Sequence, residues 1–232
     1  MNIRGLYKTS LVDFPGKITS VVFTGGCNLR CGYCHNPDMV FDSGNTAAVP
    51  EDYVFEFLSG RKKLIDGVTV TGGEPTLQPD LPDFLKKIRD MGFLVKLDTN
   101  GFSPEVIKSV TAAGLADYIA LDIKSSPDKY SLVTGRDYPF STVLETIDIL
   151  RNSGVDFELR TTCIPLLVTS EDILSIGEAV GKVKKYFLQQ FVNTGSLVDP
   201  ALQELSPYPV LYLEVMRNKC LEFAEICSIR GA

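Results

Sequence analysis

The chain has 232 residues, 23 of them Lys or Arg against 29 Asp or Glu for a net charge of −6, and 44% of it is hydrophobic. That length fits one domain of α/β-barrel size, the apolar content excludes a disordered chain, and six cysteines are too few for a disulfide scaffold. The basic pairs (Lys62-Lys63, Lys86-Lys87, Lys184-Lys185) are scattered and no run approaches eighteen apolar residues, so neither nucleic acid nor membrane is an expected partner. Residues 1–10 contain no apolar signal core, and a cytoplasmic, thiol-reducing setting is expected.

In chain order, β-branched runs predict strands at 18–23, 67–71, 93–98, 118–123, 157–164 and 186–191. Amphipathic stretches predict helices at 51–58, 81–91, 104–113, 141–152 and 170–180, with a last one spanning about 211–229. Ser103-Pro104 reads as a capping serine followed by proline at the first helical position, and Gly92, Gly114 and Gly154 suit helix ends. Strands alternating with helices imply parallel pairing through right-handed crossovers. The expected fold is therefore α/β, a partial (β/α)6 barrel in one domain over 1–232, with a core at about 18–195 and a C-terminal extension at about 196–232. Ligands of such folds gather at the carboxyl ends of the strands.

Directly after the first of these strands comes Gly25-Gly26-Cys27-Asn28-Leu29-Arg30-Cys31-Gly32-Tyr33-Cys34-His35-Asn36. A structural zinc site would want four protein ligands, and no second pair at zinc spacing follows. Closely spaced thiolates suit an iron–sulfur cube, which ordinarily takes four. Three leave one iron open to a substrate or cofactor. The bland alternative is three reduced, buried cysteines in a tight loop.

The spacing Cys27-x-x-x-Cys31-x-Tyr33-Cys34 resembles the signature of the radical S-adenosylmethionine (radical SAM) enzymes. Cys34-His35-Asn36 and the lead-in from Ser10 to Gly16 are similar to the activating enzymes of glycyl-radical enzymes, and the whole looks closest to those of anaerobic ribonucleoside-triphosphate reductase. The resemblance implies a 4Fe-4S cluster on Cys27, Cys31 and Cys34, with S-adenosylmethionine as the second cofactor. Tyr33 and His35 are implied as cofactor contacts.

Further strand ends carry matching motifs. Thr71-Gly72-Gly73-Glu74-Pro75, alone a common tight turn, resembles the family element that receives the methionyl ammonium group through Gly72, Gly73 and Glu74. Asp98-Thr99-Asn100-Gly101 and Asp122-Ile123-Lys124 resemble segments beside the cofactor, implying contacts from Asp98, Thr99, Asn100, Asp122 and Lys124. A monovalent cation near Asp98, Thr99 and Asp122 is implied by the same likeness. Arg160, on the fifth predicted strand, is similar in place to a cofactor-contacting arginine; as an inward charge it needs an anionic partner, either the methionyl carboxylate or a neighbouring Asp.

The chain also departs from the pattern. Where pyruvate formate-lyase activating enzyme has a histidine near the adenosine, the sequence reads Gln189-Gln190-Phe191, so Gln190 or the backbone is expected to make that contact. His35 is the only histidine. The 37 residues between Cys34 and Gly72 contain no cysteine, so no insert with extra clusters is expected there. Cys220 and Cys227 are expected on one face of the last helix as core thiols.

The implied activity is that of an oxidoreductase. It would cleave S-adenosylmethionine reductively and make a glycyl radical on a partner, anaerobic ribonucleotide reductase being the expected one, with a flavodoxin- or ferredoxin-like protein as electron donor. Two alternatives are a small-molecule enzyme resembling 7-carboxy-7-deazaguanine synthase and an iron–sulfur carrier or scaffold. No general acid or base side chain is expected.

Overall fold

Along residues 67–72 and 94–99 successive side chains alternate between two sheet faces, as the two-residue period of a strand requires. Val68, Val70, Val95 and Leu97 are buried in a cluster with Leu81, Phe84, Leu85 and Ile88, whereas Thr69, Lys96 and Asp98 lie on the opposite parity. A computed structural model describes all residues except Ser43, Asn45, Thr194 and Ala232. Among the described residues, eight strands form one sheet in chain order.

The elements are β1 (Ile3–Ser10), β2 (Thr19–Thr24), α1 (Pro37–Phe41), α2 (Glu51–Ser59), β3 (Gly67–Gly72), α3 (Leu81–Asp90), β4 (Leu94–Thr99) and α4 (Pro104–Ala112). There follow β5 (Tyr118–Asp122), α5 (Tyr130–Thr134), α6 (Phe140–Ser153), β6 (Asp156–Cys163), α7 (Ser170–Val180), β7 (Val183–Gln190), α8 (Val210–Cys220) and β8 (Ala224–Arg230). Strands β2 to β8 pair in parallel, and β1 lies antiparallel against β2. The six predicted strands correspond to β2 to β7, each end agreeing to three residues or better. Because β2 to β8 are parallel, their carboxyl ends open together at one rim.

Helix boundaries follow local chemistry. Gly92, Gly114 and Gly154 all take positive φ just past their helices, a backbone region open to glycine at little cost. Thr169 and Asp172 form a reciprocal capping box at the start of α7. Pro104 does open α4, but the Ser103 hydroxyl makes no cap; its carbonyl instead accepts from Val106 and Ile107.

Two elements differ from the sequence expectation. Strand β1 lies in a segment where no strand was expected, and it covers the free edge of β2. The stretch 211–229 is not one helix: it turns at residues 221–223 and returns as β8, whose backbone pairs with β7. An open edge beside β7 is a row of unpaired donors and acceptors, and pairing satisfies it. Cys220 therefore ends a helix while Cys227 lies on a strand. Both are buried near Cys163 in the helix-side core, as the core-thiol reading expects.

Candidate functional site

A cavity of about 350 Å³ opens where β2 to β7 end. The cysteine loop forms one wall, with Cys27, Cys31, Tyr33, Cys34 and His35 all on the lining. Thr71 to Pro75, Asp98 to Asn100, Asp122 and Lys124 form the opposite side, and Thr162 with Gln189 to Val192 closes the third. The fold thus brings together thirteen of the fourteen residues singled out from the sequence; Arg160 is not on the lining.

Glycine makes the meeting of the first two walls possible. A Cβ on Gly73 would fall 2.1 Å from the Gly26 carbonyl oxygen, and one on Gly72, at φ +118°, would fall 2.3 Å from the Thr24 nitrogen. The close approach carries hydrogen bonds from Gly73 N–H to the Thr24 carbonyl and from Glu74 N–H to the Gly26 carbonyl, both 2.8 Å. Thus the end of β3 is laced directly to the start of the cysteine loop.

Glu74 is 1% exposed, and its carboxylate is already engaged. Oε1 accepts from Thr76 N–H (3.1 Å), Thr76 Oγ1 (2.6 Å) and Thr99 Oγ1 (2.8 Å), while Oε2 accepts from Asn100 N–H (2.7 Å). Burial lifts its carboxyl above the usual range although these donors oppose the shift. Glu74 thereby ties β3 to β4, a structural duty beyond the ammonium contact expected of it. Asn100 continues the link, donating from its amide to Asn28 Oδ1 (2.7 Å) beside Cys27.

Behind this clasp lies an ion-pair network. Arg160 Nε donates to Asp122 Oδ1 (2.8 Å), and Nη1 reaches Asp98 Oδ2 (3.3 Å). Lys124 Nζ donates to Asp122 Oδ2 (2.9 Å), and Lys96 pairs with Asp98 Oδ1. Burial opposes ionisation of both carboxyls, but Arg160 and the lysines hold Asp98 below, and Asp122 well below, the ordinary range. Of the two anionic partners open to Arg160, the aspartates satisfy it.

The thiols fit a cluster. Burial pushes the Cys31 thiol up to about 11, so a bound cation is what would stabilise its thiolate. Among the described residues no three His, Cys, Asp or Glu side chains converge closely enough to hold a single metal ion. Zinc draws its sulfurs in at bonds of about 2.3 Å, whereas a cube spreads its ligands over several corners. Cys163 is fully buried with Cys220 and Cys227 and is absent from the cavity wall, so it is not placed to be a fourth ligand. Tyr33 Oη and Gln190 Oε1, both in lining residues, are buried without a hydrogen-bond partner, which suits a wall built to receive a polar ligand.

Sequence reasoning missed several contributors. Lys96 was legible in principle, two residues before Asp98 on the same strand face. The clamp over the cysteine loop was not: Val198 N–H donates to the Cys34 carbonyl (3.0 Å), and Asp199 N–H to the Gly32 carbonyl (2.8 Å). Leu197 is buried there among Leu29, Cys31 and Tyr33.

Comparison with known proteins agrees with this geometry. The profile of the Radical SAM superfamily matches residues 21–178. The chain belongs to that superfamily, whose cofactors are a 4Fe-4S cluster and S-adenosylmethionine. Within it, the chain groups with the activating enzymes of glycyl-radical enzymes. It is 35% identical over 196 residues to a Methanocaldococcus jannaschii protein assigned to those enzymes, covering 82% of this chain and 79% of that one. It is also 35% identical over 181 residues to the pyruvate formate-lyase-activating enzyme of Clostridium pasteurianum, covering 73% and 71%. A radical SAM methyltransferase from Sphaerobacter thermophilus shares the fold at TM-score 0.73 and 12% identity, over 94% of this chain and 67% of that one. SuiB of Streptococcus suis, solved with S-adenosylmethionine, does so at TM-score 0.67 and 13% identity over 89% of this chain, which spans about half (48%) of SuiB. Among the described residues no helix is long and apolar enough to cross a membrane.

Proposed function

We propose that Cys27, Cys31 and Cys34 hold the 4Fe-4S cluster and that the facing strand ends hold S-adenosylmethionine, for the purpose of placing a glycyl radical on a partner enzyme. The observation that carries this reading is the single cavity in which three thiols face Gly72 to Glu74, Asp98 to Asn100 and Asp122. When bound and supplied with one electron by an external donor, the cluster and S-adenosylmethionine would provide the radical chemistry that removes a hydrogen atom from a glycine of the partner.

The chain's own residues bind, orient and exclude water. The Gly72-Gly73 turn presents backbone acceptors to the methionyl ammonium, Glu74 fixes that turn against Asn100, and the Asp98–Arg160–Asp122 network holds the floor rigid. Tyr33 and Gln190 offer polar contacts for the nucleoside. His35 stands exposed at the rim; partial desolvation and then the Lys124 charge lower its imidazolium pKa, so it serves as a neutral contact. Segment 197–199 seals the outer side of the cysteine loop against solvent.

Anaerobic ribonucleoside-triphosphate reductase is the proposed partner, on the likeness of the cysteine loop and lead-in, with a flavodoxin- or ferredoxin-like donor in a reducing cytoplasm. The similar proteins named as activating enzymes favour a glycyl-radical partner over a small-molecule substrate. The test is anaerobic reconstitution followed by electron paramagnetic resonance. About four irons per chain, a cluster signal that changes on adding S-adenosylmethionine, and a stable glycyl-radical signal on mixing with the reductase are expected. An unchanged cluster signal would leave only a scaffold; a glycyl radical formed on pyruvate formate-lyase but not on the reductase would reassign the partner.

A further inference from the structure

The likeness to activating enzymes implies an alkali cation beside Asp98, Thr99 and Asp122, and the side chains disagree with it. Each of the four carboxylate oxygens of Asp98 and Asp122 already faces a protein cation. Lys96 takes Asp98 Oδ1, Arg160 takes Asp98 Oδ2 and Asp122 Oδ1, and Lys124 takes Asp122 Oδ2. The Thr99 hydroxyl is committed as well, donating to Glu74 Oε1 and accepting from Gly101 N–H (3.1 Å). Three cations on two carboxylates leave one positive charge in surplus. A hard cation binds through a shell of oxygen ligands, and here each of those carboxylate oxygens already faces a protein cation that would repel it.

Lys96 is the unusual member. Its side chain is 2% exposed, on β4 between Thr69 of β3 and Tyr118 of β5, on the same strand face as Asp98. A lysine is rarely buried so fully unless paired, and displacing it from Asp98 would strand an ammonium in the sheet interior.

Resting on the cofactor reading above, we propose that Lys96 is a built-in replacement for the alkali cation: its ammonium, acting through Asp98, supplies the positive charge that keeps this floor complementary to the methionyl carboxylate. S-adenosylmethionine then binds without sodium or potassium. Lys96 is a positioning residue, since it touches Asp98 rather than the cofactor. The Asp98 side of the network is filled by a covalently attached cation that dilution and dialysis cannot remove.

The experiment is a salt series at constant ionic strength in potassium, sodium or choline chloride, read in two ways: S-adenosylmethionine affinity of the anaerobically reconstituted protein, and melting temperature of the cluster-free protein. For the wild type, affinity should differ by less than about twofold among the salts, with no saturable rise in melting temperature. Lys96→Met opens Asp98 Oδ1, so potassium or sodium should tighten S-adenosylmethionine by about tenfold over choline and raise the melting temperature. Lys96→Arg should restore indifference.

A wild type whose affinity or melting temperature rises saturably with potassium or sodium but not choline overturns the proposal, as does a folded Lys96→Met that stays indifferent. If Lys96→Met does not fold, the wild-type series decides alone. If S-adenosylmethionine binds in no salt, the cofactor reading fails, while the cluster-free melting series still decides whether an alkali ion binds.

Discussion

The backbone N–H of Asn100, just past β4, donates to Glu74 Oε2, just past β3, at 2.7 Å, with the carboxylate 1% exposed. Two strand ends that are 26 residues apart in the chain are thus locked by one buried carboxyl group. Glu74→Ala would leave the Asn100 amide and the Thr76 and Thr99 hydroxyls without their acceptor, each a desolvated polar group. The expected cost is about 3 kcal/mol, read by urea unfolding of the cluster-free protein, together with weaker S-adenosylmethionine binding after reconstitution. A change below about 0.5 kcal/mol would mean that Glu74 is not the clasp.

Gly73 and Gly60 make a matched pair. At Gly73 an added methyl lands 2.1 Å from a backbone oxygen of the cysteine loop, whereas at Gly60 (φ −74°) the nearest atom is 3.6 Å away. Gly73→Ala should cost about 2 kcal/mol or more and lower the iron retained on reconstitution. Gly60→Ala should be neutral or stabilising by a few tenths of a kcal/mol, because it restricts the unfolded chain. Iron content and melting temperature of the two variants check both.

The ligand assignment divides the cysteines into two groups. Cys31→Ala should lose the bound cluster's spectrum. Cys163→Ala, in the helix-side core where burial pushes its thiol up to about 12, should keep its iron while losing about 1 to 2 kcal/mol of stability for the small cavity created. Iron analysis that falls equally in both would make Cys163 a ligand.

Acid stability is expected to depend on Asp172. Burial opposes its ionisation, but Lys129, the Thr169 backbone and Ser126 hold its carboxyl below the ordinary value. A depressed folded-state pKa contributes stability that is fully present above the unfolded value of about 3.9 and is lost as pH falls through the lower folded value. Asp172→Ala should therefore destabilise by about 2 kcal/mol near neutrality and lose less than the wild type as pH falls below about 4. Parallel pH series of melting temperature for the two proteins check this.

How much of the site was legible follows from which interactions are local. The cysteine spacing, the Gly-Gly-Glu turn and the Asp-Thr-Asn-Gly run lie within a few residues each, and their position at the carboxyl ends of predicted strands placed them at the rim where they are found. The 211–229 stretch was misread because its apolar residues fit a helical period, while its second half becomes a strand only because β7 has an edge to fill. Arg160 was read as a cofactor contact or an aspartate partner; register opposite Asp122 decided for the aspartates.

The amino-acid sequence by itself determined the alternating strands and helices, the trio of thiols and the polar strand ends, since backbone period and ligand spacing are short-range properties. Only the tertiary structure decided that Glu74 is engaged as a clasp, that a buried Lys96 pairs with Asp98, and that residues 197–199 clamp the cysteine loop. Those depend on which strands become neighbours and how closely their backbones approach, and such long-range pairings follow from the packing of the whole sheet rather than from any one segment.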